Sequence, residues 1–421
     1  MTDTDTSHLT DTADLQVREN DEAAFGPVDD WATDFDMFEP GYVADPTVRW
    51  AEQREQCPIA FTDRRQRTWL PVKYEDLSEI AHDVERFSSR DIAVVSPLDI
   101  PMNDALPVPP ISSDPPFHTW ARRLLLPAFG PSAIDKMTPI TRALANDLID
   151  EHFTDGHGDA AADYAQHIPV RVIAQMIGIP LEDEPMFTGW VVRTLQEGLQ
   201  NLANLPEVFD EMTTYFVQHV AARREMPEGT RPDDILTMLL EAETDQPMTD
   251  EHLLGTCFLL LIAGIDTTWS NIGSSLLHLA THPEDQQRLR DEPELIQTAV
   301  EEFLRFYSPV TMARYVTEDT EFKGCPMQEG DKVLMAFPAG NHDPEMFEDA
   351  DKFIIDRAKN RHFAFGSGIH RCLGSNLARM EIRVAIEVFL ERIPTFELAD
   401  PDAVFWNGGQ VRGPRRAPIK Y

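Results

Sequence analysis

The chain has 421 residues, enough for one large unit or two to three average domains, and enough to bury a sizeable core around a cofactor. Seventy-three acidic residues against 36 basic ones give a formal net charge of −37, and only seven of the basic residues are lysines. So acidic a surface argues against partners such as nucleic acid or an anionic membrane. It fits a cytoplasm at molar salt, where a Debye length of about 3 Å screens self-repulsion; an ordinary acidic bacterial protein is the alternative.

The four cysteines, Cys57, Cys257, Cys325 and Cys372, form no C-x-x-C pair and no regular spacing, which indicates neither a disulfide framework nor a zinc site. The N-terminus lacks a basic and apolar leader, and the longest apolar run, within residues 253–265, falls short of the ~18 needed to span a bilayer. These features together predict a soluble, cytoplasmic protein.

In chain order, residues 1–30 are an acidic, Thr-rich tail with little that could pack. Helical spacing follows over 46–57, a β-prone run over 68–74 and a second helix over 75–87. Residues 91–110 interleave Ile92, Val94, Val95, Leu98, Ile100, Met102 and Leu106 with Pro97, Pro101, Pro107 and Pro109: too Pro-rich for a regular element, too apolar for a bare loop. His118 and Arg122, four apart, share one face of a helix opening at 113–123. Helices follow over 131–153 and 159–180, the latter stopped at Gly178. Two more lie within 182–226, with a break near 204–206, and a short one spans 233–241.

The longest helical run spans 249–282 and is apolar nearly all round, as a buried helix is. In its middle stands Ala263-Gly-Ile-Asp-Thr-Thr268, where an unpaired carboxylate is costly. Gly264 removes side-chain bulk where something could lie against the backbone. A threonine there could equally bond back to a carbonyl, with the aspartate reaching the surface. Glu302 and Arg305 are three apart on one helix; 322–334 reads as short strands and turns, and 405–413 as a β-hairpin. Between them, Phe365-Gly-Ser-Gly-Ile-His-Arg-Cys-Leu-Gly374 presents one cysteine from a glycine-rich turn ahead of a helix over 375–390. The orphan amides and positive end of that helix favour a thiolate, a ligand suited to an electron-rich metal. A buried structural cysteine in a glycine turn is the plainer alternative.

The full spacing of Phe365, Gly366, Gly368, His370, Cys372 and Gly374, followed by Leu377-Ala-Arg379, resembles the cytochrome P450 family of haem-thiolate monooxygenases over residues 31–421. The resemblance implies a mainly α fold with small β-sheets, a single large domain enclosing haem b, and Cys372 as the axial ligand of the iron. It implies that His118, Arg122, Arg314 and His362 hold the haem propionates, with Phe365, Gly366 and His370 completing the cofactor-binding set. Ala263 to Thr268 matches the family's oxygen-activation motif, which makes Asp266 and Thr267 the proton-delivery pair. Glu302, Arg305 and Arg357 match its structural clamp. The 91–110 segment roofs the substrate cavity in the family and two helices of 182–226 form a lid. Val94, Val95, Ala263, Val310 and Met312 are therefore expected at a pocket for a small hydrophobic substrate. With no flavin or iron–sulfur module in the chain, electrons are expected from an NAD(P)H-fed ferredoxin reductase and a ferredoxin, docked at a basic patch of Arg122, Arg361, Arg371 and Arg379, and the oxygen from O2. A haem peroxygenase and a non-catalytic haem sensor are the rival readings.

Overall fold

The computed structural model describes residues 26–96, 101–105, 107–198, 202–227, 229–244 and 248–421. Most of the acidic tail lies outside the described residues, as do Leu98, Ile100 and Leu106 of the proline-rich segment. Arg64 donates to the carbonyls of Gly26 and Pro27 at 2.8 and 3.0 Å, so packing begins a few residues before the expected boundary at 31.

The protein is built around the helix Asp250–Thr281. Thr249 caps it by accepting from the His252 N–H at 3.2 Å, and Asp250 and Glu251 sit at its positive end. Its length and composition would suffice to cross a membrane, which the short apolar run did not suggest; 72% of the apolar window is buried inside the protein, as in a core helix. The helices His167–Ile177 and Ser375–Arg392, the turn Ala160–Ala165 and the strand Gly413–Arg416 pack against it. Gly264 serves this packing: a Cβ there would lie 3.0 Å from Ile173 Cγ1. Its missing bulk faces a neighbouring helix.

A five-stranded sheet runs in the order Ile59–Thr62, Thr68–Pro71, Lys332–Met335, Met312–Val316, Phe87–Ser88, with only the second and third strands parallel. The helix expected over 75–87 is Tyr74–His82. Asp83 leaves helical angles and its carboxylate accepts the Arg86 N–H at 3.1 Å, freeing Phe87 to pair with Val316. The expected hairpin at 405–413 pairs Phe405–Asn407 with Gly413–Arg416, a little beyond its anticipated end.

Glu302 and Arg305 have fully buried side chains. Arg305 donates to Glu302 from Nε at 2.9 Å and from Nη2 at 2.7 Å, and Arg357 Nε approaches both Glu302 oxygens at 3.1 and 3.0 Å. The remaining Arg305 N–H groups reach the carbonyls of Asn341, Ala350 and Lys352 at 2.9, 2.8 and 2.7 Å. One helix, Ile296–Phe306, thereby grips the irregular segment 341–360 that leads to Cys372. Burying these charges is costly, and the fork of donors into carbonyls offsets that cost. Truncating Glu302→Ala strands two guanidinium groups, and urea unfolding should show a loss of about 3–5 kcal/mol.

Glu381, on Ser375–Arg392, is buried with Thr268 as its hydrogen-bond partner, and its Oε2 has none. Burial pushes this carboxyl up to about 8, the Thr268 hydroxyl opposing only in part. A raised native pKa means stability is fully present below about 4.5 and is lost as pH climbs to about 8. The whole excursion amounts to about 5 kcal/mol. Glu381→Gln should therefore melt above the parent protein at pH 8, with the gap closing toward pH 4.5; a pH-independent gap would remove the burial argument.

Candidate functional site

The cysteine turn is held by its own backbone. The Cys372 N–H donates to the Phe365 carbonyl at 2.7 Å, while Gly366 and Gly368 take φ of +66° and +69°, angles that side chains resist. A Cβ at Gly368 would come 2.2 Å from the Ala81 carbonyl, so the turn leans directly on the helix Tyr74–His82. Cys372 is exposed as a residue, yet desolvation is the main influence on its thiol and pushes it up. The two facts fit a sulfur opening onto a hollow walled by protein. The Gly374 N–H and the guanidinium groups of Arg122, Arg371 and Arg379 pull the other way.

Around this hollow the fold gathers cationic and neutral donors that no carboxylate answers. His118, on Phe117–Leu125, is 3% exposed, and its ring has no side-chain partner, only a backbone contact at Ile369. Its ring lies 4.3 Å from that of His370, whose Nε2 is unpartnered. Desolvation comes first in lowering both imidazoles, His370 to about 2, with neighbouring guanidinium groups adding to it. Arg314, on Met312–Val316, is 5% exposed; Nη1 donates to the Ala313 carbonyl at 2.8 Å, and burial depresses the guanidinium to about 10, relieved only by more distant Asp114. Arg122 donates through Nη2 to the Arg371 carbonyl at 2.5 Å. Buried donors this poorly matched call for an anion. A flat prosthetic group with two carboxylates, ligated through one sulfur, fits that donor set. Among the described residues no cluster of three or more His, Cys, Asp or Glu could hold a bare metal ion.

His362 departs from its expected place in this set. Its Nδ1 accepts the Ala364 N–H at 3.2 Å and its Nε2 bonds Glu301 Oε2 at 3.1 Å, so neither nitrogen is left for a propionate. His370 is the histidine with a free nitrogen. Arg379 of the expected basic patch is likewise engaged, by Glu301, whereas Arg361 and Arg371 are exposed.

On the long helix, Ala263 is exposed and Thr267 half-buried although Ile265 and Asp266 are buried, so one face of the core helix borders an opening. Thr267 Oγ1 donates to the Ala263 carbonyl at 2.9 Å, the back-bond considered from sequence. Asp266 is completely buried and reaches no surface group. Arg415 Nη2 lies 2.7 Å from its Oδ1, which also accepts from Gln196 Nε2 at 3.3 Å, while Oδ2 has no partner. Burial raises the Asp266 carboxyl and depresses Arg415, so on both sides desolvation outweighs the pairing. Neither Arg415 nor Gln196 was signalled by sequence. The approach that brings Arg415 in rests on Gly413, where a Cβ would meet Ser270 at 2.4 Å.

Val94 and Val95 are buried in a small core with Leu202 and Leu205, while Val310 and Met312 are half-buried. Gln410, from the hairpin loop, links two of these places: its Oε1 accepts the Val94 N–H at 3.4 Å and its Nε2 points to Met312 Sδ at 3.5 Å.

Residues 185–403 match the sequence profile described as Cytochrome P450. The chain is 32% identical over 382 residues to the mycinamicin IV hydroxylase/epoxidase of Micromonospora griseorubida, covering 89% of this chain and 95% of that one. It is 34% identical to the vitamin D(3) 25-hydroxylase of Pseudonocardia autotrophica, over 91% and 96% of the two. Among solved structures, a cytochrome P450 from Bacillus megaterium in complex with testosterone superposes with a TM-score of 0.82 at 31% identity, covering 90% of this chain and 98% of the other. A thiol in a glycine turn, orphaned donors around it and these likenesses converge: the chain belongs to the cytochrome P450 family, oxidoreductases of the monooxygenase type that carry haem b.

Proposed function

We propose that this P450 inserts one oxygen atom from O2 into a small hydrophobic molecule, with Cys372 as the residue whose sulfur would hold the haem iron. The observation that carries the reading is the gathering of His118, His370 and Arg314, none of them paired with a carboxylate, around the Cys372 turn. His118, Arg122, Arg314 and His370 would hold the two propionates, with Phe365 and Gly366 shaping the turn behind the sulfur. When bound, the haem supplies dioxygen activation, which a thiolate ligand favours.

The chain's own part is to deliver protons and keep bulk water away. Asp266 holds its proton at Oδ2, the oxygen without a partner, because Arg415 and Gln196 favour negative charge on Oδ1. Thr267 Oγ1, whose hydrogen goes to the Ala263 carbonyl, keeps lone pairs free to accept a proton from that side. Ala263, Val310 and Met312 line the substrate side, and Val94 and Val95 close the roof with Leu202 and Leu205 of the lid.

The substrate is a hydrophobic molecule of the size class to which mycinamicin, vitamin D3 and testosterone belong, as the names of the relatives suggest. Electrons come from a ferredoxin and an NAD(P)H-fed reductase, docking near exposed Arg361 and Arg371. The intact Asp266–Thr267 pair favours O2 with external reductant over peroxide. A carbon monoxide difference spectrum of the reduced holoprotein should show the thiolate band, and candidate ligands should shift the ferric spin state. Product from peroxide alone, and none from O2 with reductant, would make the protein a peroxygenase. Thr267→Ala should leave both spectra intact but cut product per NAD(P)H severalfold, the balance appearing as hydrogen peroxide; unchanged coupling would remove Thr267 from proton delivery.

A further inference from the structure

Glu301 stands one residue before the clamp glutamate yet works elsewhere. Its Oε1 meets Arg379 Nε at 2.5 Å and its Oε2 meets Nη2 at 2.8 Å, a two-pronged grip that Glu301 shares with His362 Nε2 at 3.1 Å. The Ala364 N–H bonded to His362 Nδ1 leaves the ring proton on Nε2, aimed at the carboxylate. Burial works against the charge, but Arg379 and His362 outweigh it and hold the Glu301 carboxyl down at about 2, so it is ionised. The Arg379 guanidinium lies 4.4 Å over the ring of Phe365, whose carbonyl accepts the Cys372 N–H at 2.7 Å. Arg379 is also one of three cations whose field reaches the Cys372 sulfur.

We propose that Glu301 regulates how much electron density the Cys372 sulfur offers the iron, by cancelling the positive charge that Arg379 presents across Phe365. The inference rests on Cys372 being the iron ligand. A cation beside a thiolate draws density from it and favours the reduced, more negative haem; a carboxylate paired with that cation restores the ligand's donation and favours the ferric state. Glu301 acts through Arg379 and is a positioning residue, not a catalytic one. Both side chains are 31% exposed, so salt attenuates their influence.

The test is the haem midpoint potential of the full-length holoprotein, measured by spectroelectrochemistry at low and high salt. Glu301→Gln should move the ferric/ferrous equilibrium severalfold toward ferrous, a tenfold change being 59 mV for one electron. Arg379→Gln should move it the other way, and the double variant should return near the parent. Arg379→Lys, which keeps the charge but loses the fork and the stacking, should stay near the parent. Shifts of the same sign in both single variants, or none, would mean a merely structural pair and would overturn the proposal. If Glu301→Gln fails to take up haem, the shift in Arg379→Gln decides alone. A parent protein without the thiolate carbon monoxide band would instead sink the ligand assignment; a retained band with unmoved potentials sinks only the role of Glu301.

Discussion

Arg314 lies buried with no carboxylate against its guanidinium, and beside it two histidines have no side-chain partners for ring nitrogens that water cannot reach. Desolvation on this scale is tolerated in a folded chain only when something else supplies the negative charge. On the proposed reading that charge comes from the two haem propionates. The strand carrying Arg314, the helix carrying His118 and the turn carrying His370 would then share one partner, which would couple haem uptake to the final packing of each.

The features legible in sequence were those whose parts are close along the chain. The cysteine turn, the Glu302–Arg305 spacing and the helix around Asp266 all declare themselves within ten residues, and the structure keeps them as local units. Arg357 was placed at the clamp only through the family resemblance; what escaped were the other contacts formed by a lone side chain from far away. Arg415 meets Asp266 across 149 positions, and Glu301 meets Arg379 across 78, as their numbers show. A single arginine in a strand or helix carries no periodicity to mark it. His362 was misplaced for the same reason: its neighbour in the fold, Glu301, is not its neighbour in the chain. Gly264 and Phe87 show the other limit. A missing side chain does not say what it makes room for, and helical spacing does not say when a strand partner will claim a residue.

Asp266 and Glu381 flank the Thr267–Thr268 step from two directions, and burial raises both carboxyls for different ends. Asp266 has a counter-ion that keeps one oxygen negative and leaves the other unpartnered; Glu381 has only a hydroxyl. The same low-polarity interior therefore gives one acid with a counter-ion at hand and one that holds its proton until the pH nears about 8. The difference comes from Arg415, and hence from how closely Gly413 lets its strand approach the core helix.

Val94 and Val95 of the proline-rich segment share one apolar cluster with Leu202 and Leu205. On the proposed reading roof and lid would act as a single stopper, since both contribute side chains to this one cluster. A guest that enters has to fill the greasy contact it displaces, so admission favours molecules with enough hydrocarbon to stand in for four side chains. On that reading small polar compounds would be turned away at the threshold, before any contact with the chemistry beneath.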